Sequence, residues 1–141
     1  MTIGYETERA DIESRVTSIL TTTTTPVKFD NVSHLLKGTT ALETVNGLSE
    51  WVRVTILNND SETVEVGGSR TRHNGEIVFS IFVASGTGTD RARELADDLF
   101  DGFVNVNFGT IQTQTPSVSR VGDEDGFYHL QVIVPFYRDQ T

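Results

Sequence analysis

The residues with the clearest chemical promise are Gly86-Thr87-Gly88, which stand between an apolar run and a helical pattern. Glycines in that setting expose backbone amides at a helix N-terminus, where a phosphate can sit. The match stops early, because the third glycine of a Gly-x-Gly-x-x-Gly fingerprint falls on Arg91 and no Gly-Lys-Ser/Thr follows. A plain strand-to-helix link fits better. The histidines, His34, His73 and His129, are far apart and form no His-x-x-x-His pair, so spacing supports no metal site. His129 is expected to face solvent from a strand, His73 to belong to a turn, and His34 to lie in an irregular stretch. Asp97, Asp98 and Asp101 form one acidic run and Asp123-Glu124-Asp125 another. The second lacks the alternating ligands and closing glutamate of a calcium loop. Both read as solvated surface, one a helix face and the other a hairpin tip. No Gly-x-Ser-x-Gly elbow is present. With 0 cysteines, disulfides, thiolate zinc sites and cysteine nucleophiles are excluded. Arg70 and Arg72 make a small positive cluster that in an acidic protein is expected to seek carboxylates on a neighbouring subunit. No catalytic residue, cofactor-binding residue or metal ligand is assigned.

The elements that would position these groups follow from periodicity. Residues 5–20 place Tyr5, Ile12, Val16, Ile19 and Leu20 on one helical face. Glu6, Glu8, Asp11 and Glu13 crowd its first half, where carboxylates suit the helix dipole. The β-branched run Thr21 to Thr25 before Pro26 ends the helix and leads to a short strand, Val27 to Phe29. Residues 31–50 show no sustained period and read as a long irregular loop. Trp51 to Leu57 reads as a strand, Asn58-Asn59-Asp60 as its turn, and Thr63 to Val66 as a return. Asn74-Gly75 is a tight-turn pair. Ile77 to Ala84 is apolar on both faces and is expected at the sheet centre. Thr87 or Thr89 is expected to cap a second helix bearing Ala92, Leu95, Ala96, Leu99, Phe100 and Phe103 on one stripe, with Gly102 ending it. Residues 111–121 form a strand region bent near Pro116. Phe127 to Tyr137 is the final strand, with Tyr128, Leu130, Val132, Val134 and Phe136 on one face. The order predicts an α+β fold, a mostly antiparallel β-sheet with two α-helices packed on it.

At 141 residues with 36% apolar and 22% charged side chains, the chain suits a single domain, residues 1–141. No stretch approaches the roughly 20 apolar residues that span a bilayer. Residues 1–11 hold no apolar segment of the signal-peptide kind, and the lack of cysteine fits a reducing cytoplasm. A net charge of -9 opposes binding to phosphate backbones. Such repulsion still suits a protein that DNA must pass without sticking.

Read in order, several marks resemble the tail terminator-like family of long-tailed bacteriophages. They are Trp51-Val52-Arg53-Val54, Gly75 before Ile77 to Val83, Gly86-Thr87-Gly88 before a helix with Ala92, Leu95-Ala96-Asp97 and Phe100, Gly126 with Tyr128, and Val132-Ile133-Val134-Pro135-Phe136. The resemblance covers about residues 1–137. It implies a structural virion protein and not an enzyme. Such a protein caps the head-proximal end of the tail tube as a hexameric ring, ends tail polymerisation and offers the head-joining surface. The implied partners are other copies of the chain, the tail tube protein and a head-completion or neck protein, with no cofactor and no membrane. Genomic DNA would pass through the channel unbound. Assembly would take place in the host cytoplasm and the product would reside in the virion tail. Six copies of a domain with a radius of gyration of roughly 14 Å can surround a duplex-wide channel. Together they would carry a net charge of about -54, which discourages DNA from adhering to the wall. A head-to-tail ring needs two different patches per subunit. Arg53, Arg70 and Arg72 facing Asp97, Asp98 or Asp101 are the expected pairing, with residues 31–50 and 58–75 as further contact segments. Neighbouring readings are a head–tail connector, a tail completion protein or a tube protein. A reading from another class is a small phosphate- or nucleotide-binding domain using Gly86 to Asp90.

Overall fold

The computed structural model describes residues 4–21, 25–31, 35–37, 40–42, 49–64, 67, 70–86, 88–124 and 126–140. Its elements are α1 (Tyr5–Thr21), β1 (Val27–Phe29), β2 (Leu35–Lys37), β3 (Thr40–Leu42), β4 (Glu50–Thr63), β5 (Thr71–Ala84), α2 (Asp90–Phe103), β6 (Asn107–Phe108), β7 (Ile111–Thr113), β8 (Ser117–Glu124) and β9 (Phe127–Gln140). The strands form one sheet in the order β3-β2-β1-β4-β5-β9-β7-β6, with β8 also paired to β9. Every pairing is antiparallel except β1 with β4. The fold is α+β, as the element order predicts.

Alternation sets the two faces of the sheet. Val52, Ile81 and Leu130 lie in register across β4, β5 and β9, followed by Val54, Phe79 and Val132. These residues are fully or nearly fully buried and pack with Ile12, Val16 and Leu20 of α1 and Leu95, Leu99 and Phe103 of α2. Both helices therefore cover the same face. The opposite face carries Trp51, Phe82 and His129 in register.

Several local signals are overruled. Asn58-Asn59-Asp60 and Asn74-Gly75 make no turns. β4 and β5 run through both in a single long hairpin, with Asn58 opposite Gly75 and a bulge between Asn58 and Ser61. Gly75 is there for proximity: a Cβ on it would stand 2.6 Å from the Leu57 carbonyl oxygen and 2.8 Å from Phe136 Cζ. Gly102 likewise lies inside α2 and does not end it. A Cβ there would collide with Ile19 Cδ1 of α1, and the Gly102 carbonyl accepts two bonds from Arg15. Thr89 occupies the N-cap position but makes no side-chain cap bond, and Thr87 lies outside the described residues. The stretch read as irregular, 31–50, contains the β2–β3 pair.

Pro135 stands in the middle of β9 without breaking it. Its carbonyl accepts from Gln114 N, so its missing N–H points to that same edge. There β8 has ended, at Ser117 opposite Ile133, and β7 begins, at Thr113 opposite Phe136. The Gln114 carbonyl that an N–H there would meet accepts from Asn105 N instead, so the missing donor leaves no acceptor unpaired.

Candidate functional site

At one end of the helix-covered face the core gives way to polar residues: Asn58 opposite Gly75, then Ser61, His73 and Arg138. The first turns of α1 rest on them. Arg138 is 0% exposed and Glu8 2%. Arg138 Nε donates to Glu8 Oε1 at 3.1 Å, Nη1 donates to Gln140 Oε1 at 2.8 Å, and the guanidinium lies over the Tyr5 ring. Asn58 Nδ2 donates to the second Glu8 oxygen at 2.8 Å. Beside this pair, Ser61 Oγ and Tyr5 OH both approach His73 Nδ1, at 2.7 and 3.2 Å. His73 is thus a strand residue bonded to α1. Glu8 belongs to a tertiary ion pair, which its place in an acidic helix start did not reveal. Asp11 is similar, its Oδ2 accepting from Thr110 N and Oγ1 at 3.0 Å each. Only the residue types, a carboxylate on the apolar side of α1 and an arginine in a strand, hinted at these bonds.

On the helix-free face, Arg72 Nε and Nη2 donate to the two oxygens of Asp139 at 2.8 and 3.1 Å, and Arg70 Nε stands 4.0 Å from the same carboxylate. The hydrogen bond from Arg72 holds the Asp139 carboxyl below its ordinary range against the opposing effect of burial, and the same bond raises Arg72. Arg72 also lies 4.1 Å over the Tyr137 ring. Arg53 is exposed and lies over the Phe82 ring. Asp97, Asp98 and Asp101 are exposed on α2. The structure gives Arg70 and Arg72 a carboxylate of their own. Arg53 and the α2 trio have no ion pair among the described residues.

His129 does not face solvent. It is 3% exposed and stacks on Phe82, which stacks on Trp51, each at a centroid distance of 4.3 Å. His34 lies outside the described residues. Among the described residues no group of three or more His, Asp or Glu is placed to hold a metal. The link around Gly86 and Gly88, with φ +83° and +87°, is tied to the hairpin tip by Ser85 Oγ donating to Asp123 Oδ1 at 3.1 Å. A carboxylate at that place repels an anion. A cleft of about 250 Å³ between α1 and the β1–β4 edge has Phe29, Val54 and Ile56 as its apolar floor and Arg9, Glu13 and Asp30 on its rim. Among the described residues no helix is long and apolar enough to cross a membrane.

The arrangement is one of surfaces and anchors, and comparison with known proteins gives it a context. The model of the phage tail terminator protein family matches residues 9–136. The chain belongs to that family. A terminator-family chain is a structural protein, and this one has its place in a phage tail. The match runs from α1 through the hairpin to β9. One solved structure, of a protein that carries only a sequence identifier for a name, superposes with a TM-score of 0.71. It does so at 18% identity over 99% of this chain and 97% of that one, which speaks for the fold alone. No curated protein matches the terminator-family chain by sequence.

Proposed function

We propose that this chain caps the head-proximal end of the tail tube as a hexameric ring, ends tube polymerisation and presents the surface that the head joins. The observation that carries the reading is the family match over residues 9–136, which runs from within α1, through α2, to within β9. The charge supports it: at -9 per subunit, a ring repels the DNA that passes through it. Its partners on this reading are further copies of the chain, the tube protein below and a neck or head-completion protein above. On this reading the subunit contacts fall between the side that carries Arg53 and the acidic side, Asp97, Asp98 and Asp101.

The test is light scattering on a sizing column, with negative-stain images and a titration onto purified tail tubes. Six-membered rings with an open centre, or one ring per tube end that blocks further growth, are the expected result. Long tubes from the protein alone would make it a tube protein. Failure both to form rings and to bind tube ends would sink the proposal.

A further inference from the structure

The two broad faces of this subunit differ in kind. α2 shows solvent Asp97, Asp98 and Asp101, with Glu94 and Arg93 beside them, and its other guanidinium, Arg91, is bonded to Glu50. The opposite side of the molecule is the helix-free face of the sheet. Across its middle lies the row Thr55, Val78 and Ile133, each half-buried, with Leu57 45% exposed next to it. Lys28 and Arg53 border this row, side by side in the β1–β4 register. Neither has an ion pair among the described residues. On the same face Arg72 and Arg70 meet Asp139, Glu62 stands opposite Arg72, and Glu76, opposite Leu57, accepts from Asn59 Nδ2.

We infer that the helix-free face around Lys28 and Arg53 receives the acidic face of α2 from a second copy of this chain. The inference rests on the ring reading and names its contact. Charge favours it: Lys28 and Arg53, without ion pairs among the described residues, lie at the end of the row away from Glu76 and meet the three α2 carboxylates. Geometry favours it too. The patches lie on opposite sides of one subunit, so the contact is head-to-tail and each subunit keeps one of each patch for its next neighbour, as a closed ring requires. Like faces cannot pair, because α2 against α2 opposes carboxylate to carboxylate. Arg70 and Arg72 act inside the subunit, holding β5 to β9 through Asp139, and are not the contact.

The absence of cysteine gives a background-free test by disulfide trapping. Arg53→Cys is mixed in turn with Asp97→Cys, Asp98→Cys and Asp101→Cys under mild oxidation, and the products are read on non-reducing gels. Disulfides between position 53 and at least one α2 position, in about tenfold excess over like pairs, are expected if the contact is specific. A chain carrying both cysteines should give a ladder that ends at the ring. In parallel, Lys28→Glu with Arg53→Glu should abolish ring formation alone. Asp97→Lys with Asp98→Lys should also abolish it. An equimolar mixture of the two variants should restore it, because each reversed face finds a reversed partner. Rings that form without any 53-to-α2 disulfide would overturn the contact and leave the capping role standing. Monomers that neither cross-link nor bind tube ends would overturn both.

Discussion

Arg138 and Glu8, 130 residues apart in sequence, meet as a fully buried ion pair 3.1 Å long at the junction of α1 with β9. Taking two charges out of water is costly, and removing either partner leaves the other charged and dry. Arg138→Met alone is therefore expected to destabilise by about 3–5 kcal/mol, read as the shift of a urea unfolding midpoint. The double change Glu8→Leu with Arg138→Met should recover most of that loss. If the double variant is as unstable as the single one, the pair is not what the site depends on.

The Arg72–Asp139 pair predicts a pH signature. The Asp139 carboxyl is held below its unfolded value, so its contribution is present above about pH 3.9 and is lost as pH falls through the lower folded value. Asp139→Asn should be less stable than the parent at neutral pH, and the two should converge in acid below about pH 4. Both side chains are partly solvated, so the gap should also narrow in high salt. A gap that persists unchanged at acid pH would assign Asp139 a packing role.

Gly75 and Gly102 are expected to resist alanine for different reasons. At Gly75 the obstacle is backbone, the Leu57 carbonyl, and Gly75→Ala should cost about 1–3 kcal/mol by thermal denaturation. At Gly102 the obstacle is the tip of Ile19, a side chain that can be trimmed. Gly102→Ala should destabilise alone. Combined with Ile19→Ala, it should regain up to about 1 kcal/mol of helix propensity relative to Ile19→Ala alone. No such gain would mean that the helices cannot close over the smaller pair.

Trp51 is 9% exposed and stacked on Phe82, and its indole nitrogen has no acceptor among the described residues. Trp51→Phe keeps the stack and loses no hydrogen bond, so a cost below about 1.5 kcal/mol is expected. Trp51→Ala should cost about 3–5 kcal/mol. Equal losses for the two would argue for an indole bond. The cost is read from chemical unfolding followed by circular dichroism, because the substitutions remove the only tryptophan.

The helices were legible because their burial repeats locally: Ile12, Val16 and Leu20 in α1, and Leu95, Leu99 and Phe103 in α2, all face the core. The central strand was legible in the same way, from Ile77 to Val83. The hairpin is obscured in the sequence where turn chemistry and sheet register compete. Asn58 and Gly75 look like turn residues in isolation, yet opposite each other they serve a bulged, tightly packed ladder. The Arg72–Asp139 bond joins residues 67 apart, beyond any local pattern, so in the sequence Arg70 and Arg72 stand only as a positive cluster. Glu8 with Arg138 and Asp11 with Thr110 escaped for the same reason. Pairings over such distances are set by topology, which a single sequence does not spell out.

The place of β9 has a consequence for synthesis. It follows every other strand in the chain, yet in the sheet it lies between β5 on one side and β7 and β8 on the other. Until residues 127–140 leave the ribosome, the β5 side and the β7–β8 side of the sheet share no strand pairing. The long hairpin then offers the open edge of Ile77 to Val83 to whatever meets it. An edge that apolar is a template for wrong pairing. Folding must wait for the final strand, and a translation product cut short before it would be a client for chaperones and proteases.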